Sequence, residues 1–120
     1  MSNSNLDIVS AVKSKLNRKV KIQKGQLGTA AIIAQKGLHR DVLNAMIEAD
    51  EKTAITAISG VDLGDNIGVY YHLRTSNAFF TIKTEVPKEK PHTQTISDIL
   101  AGAIFHEMEV SDLLGVVFDG

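Results

Sequence analysis

Few residue groups in this 120-residue sequence have the types and spacing that chemistry requires. His106 and Glu107 begin like the H-E-x-x-H motif of zinc proteases, but Val110 stands where the second histidine ligand would be. Four acidic residues cluster near the C-terminus: Glu107, Glu109, Asp112 and Asp119. Their spacing matches no EF-hand calcium loop. The cluster is therefore better interpreted as a charged face or a partner contact than as a metal site.

Nucleophiles and cofactor ligands are equally sparse. The chain has no cysteine, which excludes disulfides and any thiolate-held iron–sulfur cluster or zinc site within it. No serine lies in a G-x-S-x-G elbow, and no phosphate-binding G-x-x-x-x-G-K-[ST] motif occurs. The four histidines, His39, His72, His92 and His106, fall on different predicted elements. From the residues alone, we predict neither an active site nor a cofactor in this chain.

Composition and charge narrow the class of protein further. Hydrophobic residues make up 43% and charged residues 22% of the sequence, which is typical of one globular domain spanning residues 1–120. A formal net charge of -1 disfavours nucleic-acid binding, which normally uses a basic surface. Residues 1–7 lack a signal-peptide pattern, and no apolar run approaches ~20 residues. We therefore expect the chain to reach a membrane only through partners.

Hydrophobic spacing predicts three helical regions. The first covers residues 6–16 and the second residues 38–49. The third opens with a capping box at residues 95–98 and resumes over residues 107–114, where Gly115 is placed to end it in a left-handed conformation. In the second helix four polar side chains are expected to face outward: His39, Arg40, Asn44 and Glu48.

Strand patterns occur in five segments: Val20 with Ile22, then residues 29–34, 53–59, 67–74 and 78–86. The apolar run 29–34 also fits a buried helix, but we favour the strand. The last two alternate strictly and predict an antiparallel hairpin. Pro87 and Pro91 bracket a predicted extended loop, and residues 116–118 form an apolar tail that needs a covering surface. The predicted fold class is α+β, with a mostly antiparallel sheet packed against helices.

The C-terminal segment carries a family resemblance. Residues 95–120, TISDILAGAIFHEMEVSDLLGVVFDG, resemble the signature E-R-E-x-x-D-[LM]-[FL]-G-[IV]-x-F-x-G of the complex I thirty-kilodalton (NuoC-type) subunit family. The matching positions are Glu107, Glu109, Asp112, Leu113, Gly115, Val116, Phe118 and Gly120. Residues 58–62 and 69–73 also resemble strand segments of that family, whereas Met108 replaces its central arginine. Longer members of the family continue beyond the position of Gly120. In its length this sequence is most like the short D-type subunit of Ech-type energy-converting [NiFe] hydrogenases.

The resemblance implies a NuoC-like single domain that holds no redox centre and serves assembly and positioning. It would pack on the large catalytic subunit of a membrane-bound hydrogenase that couples ferredoxin-linked hydrogen evolution to ion translocation. The NiFe centre and the iron–sulfur clusters are then expected in partner subunits, with this chain peripheral at the cytoplasmic face. The expected partner interface comprises Glu107, Glu109, Asp112, Leu113, Gly115 and Phe118.

Three alternatives remain open from the sequence. The chain could be the equivalent subunit of an NADH/quinone or F420H2 dehydrogenase complex. It could be a free-standing domain that binds a small molecule on the hairpin face, which would need an apolar pocket with a few polar groups. The C-terminal carboxylates could also cap local backbone while the apolar tail packs on its own sheet, leaving no interface there.

Overall fold

The helices and strands follow one another along the chain in the order that the sequence predicts, with two short strands added. The computed structural model describes residues 4–16, 19–25, 29–76 and 78–120, with side chains from residue 8 onward. The helices are α1 (Ser4–Leu16), α2 (His39–Ala49) and α3 (Ala103–Leu114). The strands are β1 (Val20–Lys24), β2 (Thr29–Ala34), β3 (Ala54–Asp62), β4 (Asn66–Arg74), β5 (Phe79–Pro87), β6 (His92–Gln94) and β7 (Val117–Asp119).

The main sheet has five strands in the order β1-β2-β5-β4-β3. The predicted hairpin is confirmed: β4 pairs antiparallel with β5 from Asn66↔Pro87 to Arg74↔Phe79. β3 pairs with β4 and β1 with β2, both antiparallel. The exception is β2, which runs parallel to β5. The α+β prediction is therefore correct, because β2–β5 is parallel whereas the β1–β2, β3–β4 and β4–β5 pairs are antiparallel.

The helices cover one face of this sheet. Buried side chains alternate along β4 and β5, including Tyr71 and Phe80, as expected when one face meets the core. Tyr71 stacks on His39 of α2, and Gly60 of β3 lies against Leu114 of α3. The opposite face is left half-exposed.

The prediction for the outer side of α2 is partly wrong. Asn44 and Glu48 are exposed and Arg40 is half-buried, but His39 is buried. His39 lies in the first helical turn, three residues before the buried Val42, so the two side chains share a face. The His39 ring is also bonded to the backbone of the segment that precedes α3, as described below.

The predicted capping box at residues 95–98 is also wrong. Residues 97–99 form a turn, and α3 begins only at Ala103. The Thr95 hydroxyl donates to Glu107 instead of capping a helix, and Asp98 pairs with Arg40. Both side chains are therefore engaged in tertiary contacts, which compete with the local capping geometry.

Gly115 ends α3 in the left-handed conformation, with φ 75°, as predicted. A Cβ there meets no atom within 4 Å, so Gly115→Ala is expected to lower the free energy of unfolding by about 1 kcal/mol through backbone strain alone. The matched control is Gly102→Ala, because Gly102 has φ −62° and its Cβ would make ordinary contact with Ile55. Urea unfolding checks both; equal effects would contradict the strain argument.

Candidate partner-binding surface

Helix α3 rests on β3 through a narrow inner stripe. Ala103, Glu107 and Val110 are buried, and Leu114 is half-buried. A Cβ on Gly60 would overlap the Leu114 side chain and come 3.2 Å from Val110. The glycine therefore lets the helix approach the strand closely. This contact fixes which side of α3 is turned away from the domain.

The outer side of α3 is unusually apolar for an exposed helix surface. Phe105 is 73% exposed and Leu113 82%, and Ile104 and Met108 are also exposed. At about 100° per residue, Phe105, Glu109 and Asp112 lie along the middle of this side. We call the following residues the α3 face: Ile104, Phe105, Met108, Glu109, Asp112 and Leu113. Clustered apolar side chains on a surface indicate an interaction site.

Two carboxylates interrupt the α3 face. Glu109 lies 3.8 Å from His106, and Asp112 stands in the last helical turn, which contains no basic residue. A carboxylate near a helix C-terminus is disfavoured by the helix dipole. The position of Asp112 therefore does not serve the helix itself and fits contact with a cationic group elsewhere.

Glu107 behaves differently from its acidic neighbours. It is only 5% exposed, and its two carboxylate oxygens accept hydrogen bonds from the Thr95 hydroxyl (2.6 Å) and the Ile96 N–H (2.9 Å). The Ser97 N–H donates in turn to the Thr95 hydroxyl. Glu107 thus ties α3 to the segment before it. Its carboxylate accepts both hydrogen bonds inside the chain, which favours a positioning role for Glu107 over the direct partner contact that the sequence predicts.

The same segment, residues 94–98, is held from the other side by α2. His39 Nε2 lies 2.8 Å from the Gln94 carbonyl oxygen. The Arg40 guanidinium donates to the Thr95 carbonyl and, through two nitrogens, to both oxygens of Asp98. This pairing lowers the pKa of Asp98. Segment 94–98 therefore couples α2 to α3, and with it the orientation of the α3 face.

A short parallel ladder between β6 and β7 completes the surface. His92 pairs with Val117 and Gln94 with Asp119, and the Thr95 N–H donates to the Asp119 carbonyl. Val116 is buried, whereas Val117 is exposed. The apolar tail predicted from sequence is thus partly covered by its own chain. Between α3 and β7 lies a groove of about 330 Å³, whose walls include Ile104, Met108, Val117 and Phe118.

A buried aromatic pair lies beneath this region. The rings of His39 and Tyr71 stack with centroids 5.3 Å apart and an interplanar angle of 9°. Burial lowers the pKa of His39, while its bond to the Gln94 carbonyl opposes that shift. Burial, with the charge of Glu107 adding to it, raises the pKa of Tyr71. His39 is therefore held neutral near neutral pH.

Acidification should destabilise the fold through His39. At pH values above the ordinary pKa of 6.5, folded and unfolded states are both neutral at this residue. Below it, only the unfolded state takes up the proton until the lowered pKa is reached, so stability falls by at most about 1.4 kcal/mol per pH unit. His39→Gln is expected to flatten this slope between pH 7.5 and 5.5, and His72, whose pKa is also lowered by burial, accounts for part of the remainder.

The control for this prediction is Leu43→Ala, which removes a buried neighbour on the same helix without removing a titrating group. It should lower stability at every pH and keep the wild-type slope. Urea unfolding at three pH values measures both variants. An unchanged slope in His39→Gln would contradict the assignment.

The structure brings together most of the residues that the sequence selected. Glu109, Asp112 and Leu113 share the α3 face, Gly115 ends the helix beside it, and Phe118 is half-buried in the neighbouring groove. Sequence reasoning missed Ile104 and Phe105. Both are apolar residues outside the stripe that α3 buries, so a correct helix start at Ala103 would have revealed them.

Among the residues that the structure describes, no three His, Asp or Glu side chains come close enough to hold an ion. Within the same residues, no helix is long and apolar enough to cross a membrane.

Comparison with known families shows which family the chain belongs to. A profile described as "Respiratory-chain NADH dehydrogenase, 30 Kd subunit" matches residues 31–120, and the chain belongs to this family. The C-type subunit of NADH-quinone oxidoreductase from Chloroherpeton thalassium is 37% identical over 70 residues, covering 55% of this chain and 29% of that protein. The C/D-type subunit from Phocaeicola vulgatus is 33% identical over 92 residues, covering 73% and 18%. The chain thus spans less than a third of the length of these relatives.

Solved structures share the fold. A trypsin-resistant fragment of Nqo5 superimposes with a TM-score of 0.80 at 21% identity, covering 98% of this chain and 96% of the fragment. A chain of an archaeal respiratory membrane complex, the membrane-bound sulfane sulfur reductase, gives a TM-score of 0.84 at 24% identity, covering 96% and 70%. The predicted NuoC-like fold is therefore confirmed.

Proposed function

We propose that this chain is a non-catalytic docking subunit of a complex I-like membrane oxidoreductase, and that the α3 face binds the large subunit. The observation that carries this proposal is the exposed apolar surface of α3, with Phe105 and Leu113 both more than two-thirds exposed. Family membership supports it independently, since relatives are named as subunits of NADH-quinone oxidoreductases.

The α3 face sets conditions on the partner. Apolar side chains at its centre and margins would fill a complementary apolar pocket, while Glu109 and Asp112 would meet arginine or lysine side chains at the same interface. The half-buried Phe118 and the groove beside it would extend this contact toward β7. Glu107 holds the helix in place without touching the partner.

The particular complex is a finer proposal. In the first hypothesis it is an energy-converting [NiFe] hydrogenase, whose large subunit and iron–sulfur subunits would carry all redox groups. In the second it is an NADH–quinone or F420H2 dehydrogenase, which the printed names of the relatives favour. In both hypotheses the chain would lie peripherally at the cytoplasmic face of the membrane, held there by its partners.

A native pull-down separates these hypotheses. Tagged full chain is recovered from gently solubilised membranes, its partners are identified by mass, and the material is assayed for hydrogen evolution and for quinone reduction. Partners with hydrogen evolution support the hydrogenase hypothesis, and partners with quinone reduction support the dehydrogenase hypothesis. Recovery of the chain alone would overturn the docking function in favour of a free-standing binding domain.

A further inference from the structure

A length of strand edge is open on the far side of the molecule. The β2–β5 register ends at Ile33↔Lys83, whereas β5 continues to Pro87 alongside β4. Residues 84–86 therefore have no strand beside them on the β2 side, among the residues that the structure describes. Because peptide groups point alternately to the two sides of a strand, part of this edge faces away from β4. Such an edge is a template for another strand.

The open edge lies in a groove of about 420 Å³. Ile33 and Tyr70 supply apolar wall, and Gln23 and Gln35 supply amides. This volume falls in the range of sites that bind small ligands or short segments. Thr84 and Val86 are buried, whereas Glu85 is exposed, so the accessible main-chain groups of the open edge are those of Glu85.

The charge of the groove is positive. Lys36 and Lys83 line it, and neither pairs with a carboxylate among the residues that the structure describes. The Lys83 Nζ lies 5.2 Å from the centroid of the Tyr70 ring. The single acidic lining residue, Glu85, accepts a hydrogen bond from the Asn66 amide. An adjoining cavity of about 290 Å³ shares Lys83 and adds further basic charge from β1.

We propose that this groove binds a short, extended, acidic segment of a partner polypeptide, added as a strand against residues 84–86 of β5. Main-chain hydrogen bonds to the open edge would give affinity, and Lys36 and Lys83 would select carboxylates. The groove is lined by residues of the half-exposed sheet face and the sheet end, none of which belongs to α3. The proposal is therefore independent of the docking function assigned to α3.

Backbone amide spectra of the ¹⁵N-labelled full chain, titrated with the capped peptide Val-Glu-Val-Glu-Val, test this directly. Chemical shifts should change at residues 35–36 and 83–86, with a dissociation constant of about 0.1–1 mM. A peptide with lysine in place of glutamate should bind at least about tenfold more weakly, because it repels the two lysines. Proline at the central position should abolish binding, since it removes a main-chain donor.

Matched variants measure how much the two lysines of the groove contribute to peptide binding. The double variant Lys36→Gln with Lys83→Gln is expected to weaken binding of the acidic peptide about fivefold or more. Lys52→Gln is the control, because Lys52 is an exposed lysine before β3, at the opposite edge of the sheet from β1 and outside the groove. Any of three results would overturn the proposal: no change in chemical shift up to about 5 mM peptide, equal binding of the lysine peptide, or shift changes confined to α3.

Discussion

Glu107→Ala is expected to lower the free energy of unfolding by about 3 kcal/mol, the largest effect of any carboxylate on α3. The wild-type carboxylate is buried and accepts from the Thr95 hydroxyl and the Ile96 N–H. Alanine would leave the Ile96 N–H buried without an acceptor and would remove the charge-assisted bond from the Thr95 hydroxyl, for which the Ser97 hydroxyl, 2.9 Å away, is the neutral alternative. A buried donor without an acceptor is costly because water cannot replace the lost partner. Urea unfolding of the isolated chain measures the change.

Two variants make this prediction specific. Glu107→Gln retains one carbonyl oxygen and should cost about 1–2 kcal/mol, because one donor keeps its acceptor. Glu109→Ala is the matched control two residues away: its carboxylate is exposed, and a surface change of this kind is expected to stay within about 0.5 kcal/mol. Equal effects of Glu107→Ala and Glu109→Ala would mean that the buried hydrogen bonds add nothing measurable.

The β4–β5 hairpin was predictable because its signal is local, whereas the strand order, with β2 parallel to β5, was not. Alternation of apolar and polar residues along β4 and β5 follows from one face meeting the core, and the short connection between them fixes an antiparallel register. The role of Gly115 was equally predictable, because only a residue without Cβ adopts its φ of 75° at no cost. These features depend on neighbours within a few residues.

The role of Glu107 was not predictable in the same way. Its partners Thr95 and Ile96 lie 12 and 11 residues away, across a turn whose geometry the sequence does not specify. Spacing alone placed Glu107 in an acidic cluster with Glu109 and Asp112. Helix periodicity, applied from the true start of α3, separates the buried carboxylate from the exposed ones.

The short strands β6 and β7 escaped prediction for a related reason. Each has three residues, and they pair in parallel across an interval that includes all of α3. A three-residue segment shows too little alternation to identify a strand, and its partner is known only when the chain between them is folded. The apolar tail was correctly expected to need cover, but the strand that covers it was not.

Glu107 and the α3 face are two consequences of one arrangement. Hydrogen bonds from residues 95 and 96 hold the inner side of α3, and Arg40 and His39 hold segment 94–98 to α2. The helix therefore presents Phe105 and Glu109 in a fixed orientation. A rigid apolar surface loses little entropy on association, which favours its use as an interface.

Phe105→Asp is accordingly expected to reduce co-purification of the large subunit by about 30-fold or more while the chain stays folded. Truncating an aromatic residue at the centre of an interface typically costs at least about 2 kcal/mol, and an introduced carboxylate beside Glu109 and Asp112 adds like-charge repulsion. The measurement is quantitative mass spectrometry of the native pull-down, normalised to recovered tagged chain, with urea unfolding to verify the fold.

Phe79→Asp provides the matched control, because Phe79 is a comparably exposed phenylalanine, at 57%, on β5 and away from α3. If the α3 face is the docking surface, Phe79→Asp should leave recovery of the large subunit near the wild-type level. Equal loss in both variants would mean that any charge introduced on the surface weakens assembly. Loss in Phe79→Asp alone would move the interface to the sheet side, because an aromatic side chain anchors binding only where the partner covers it.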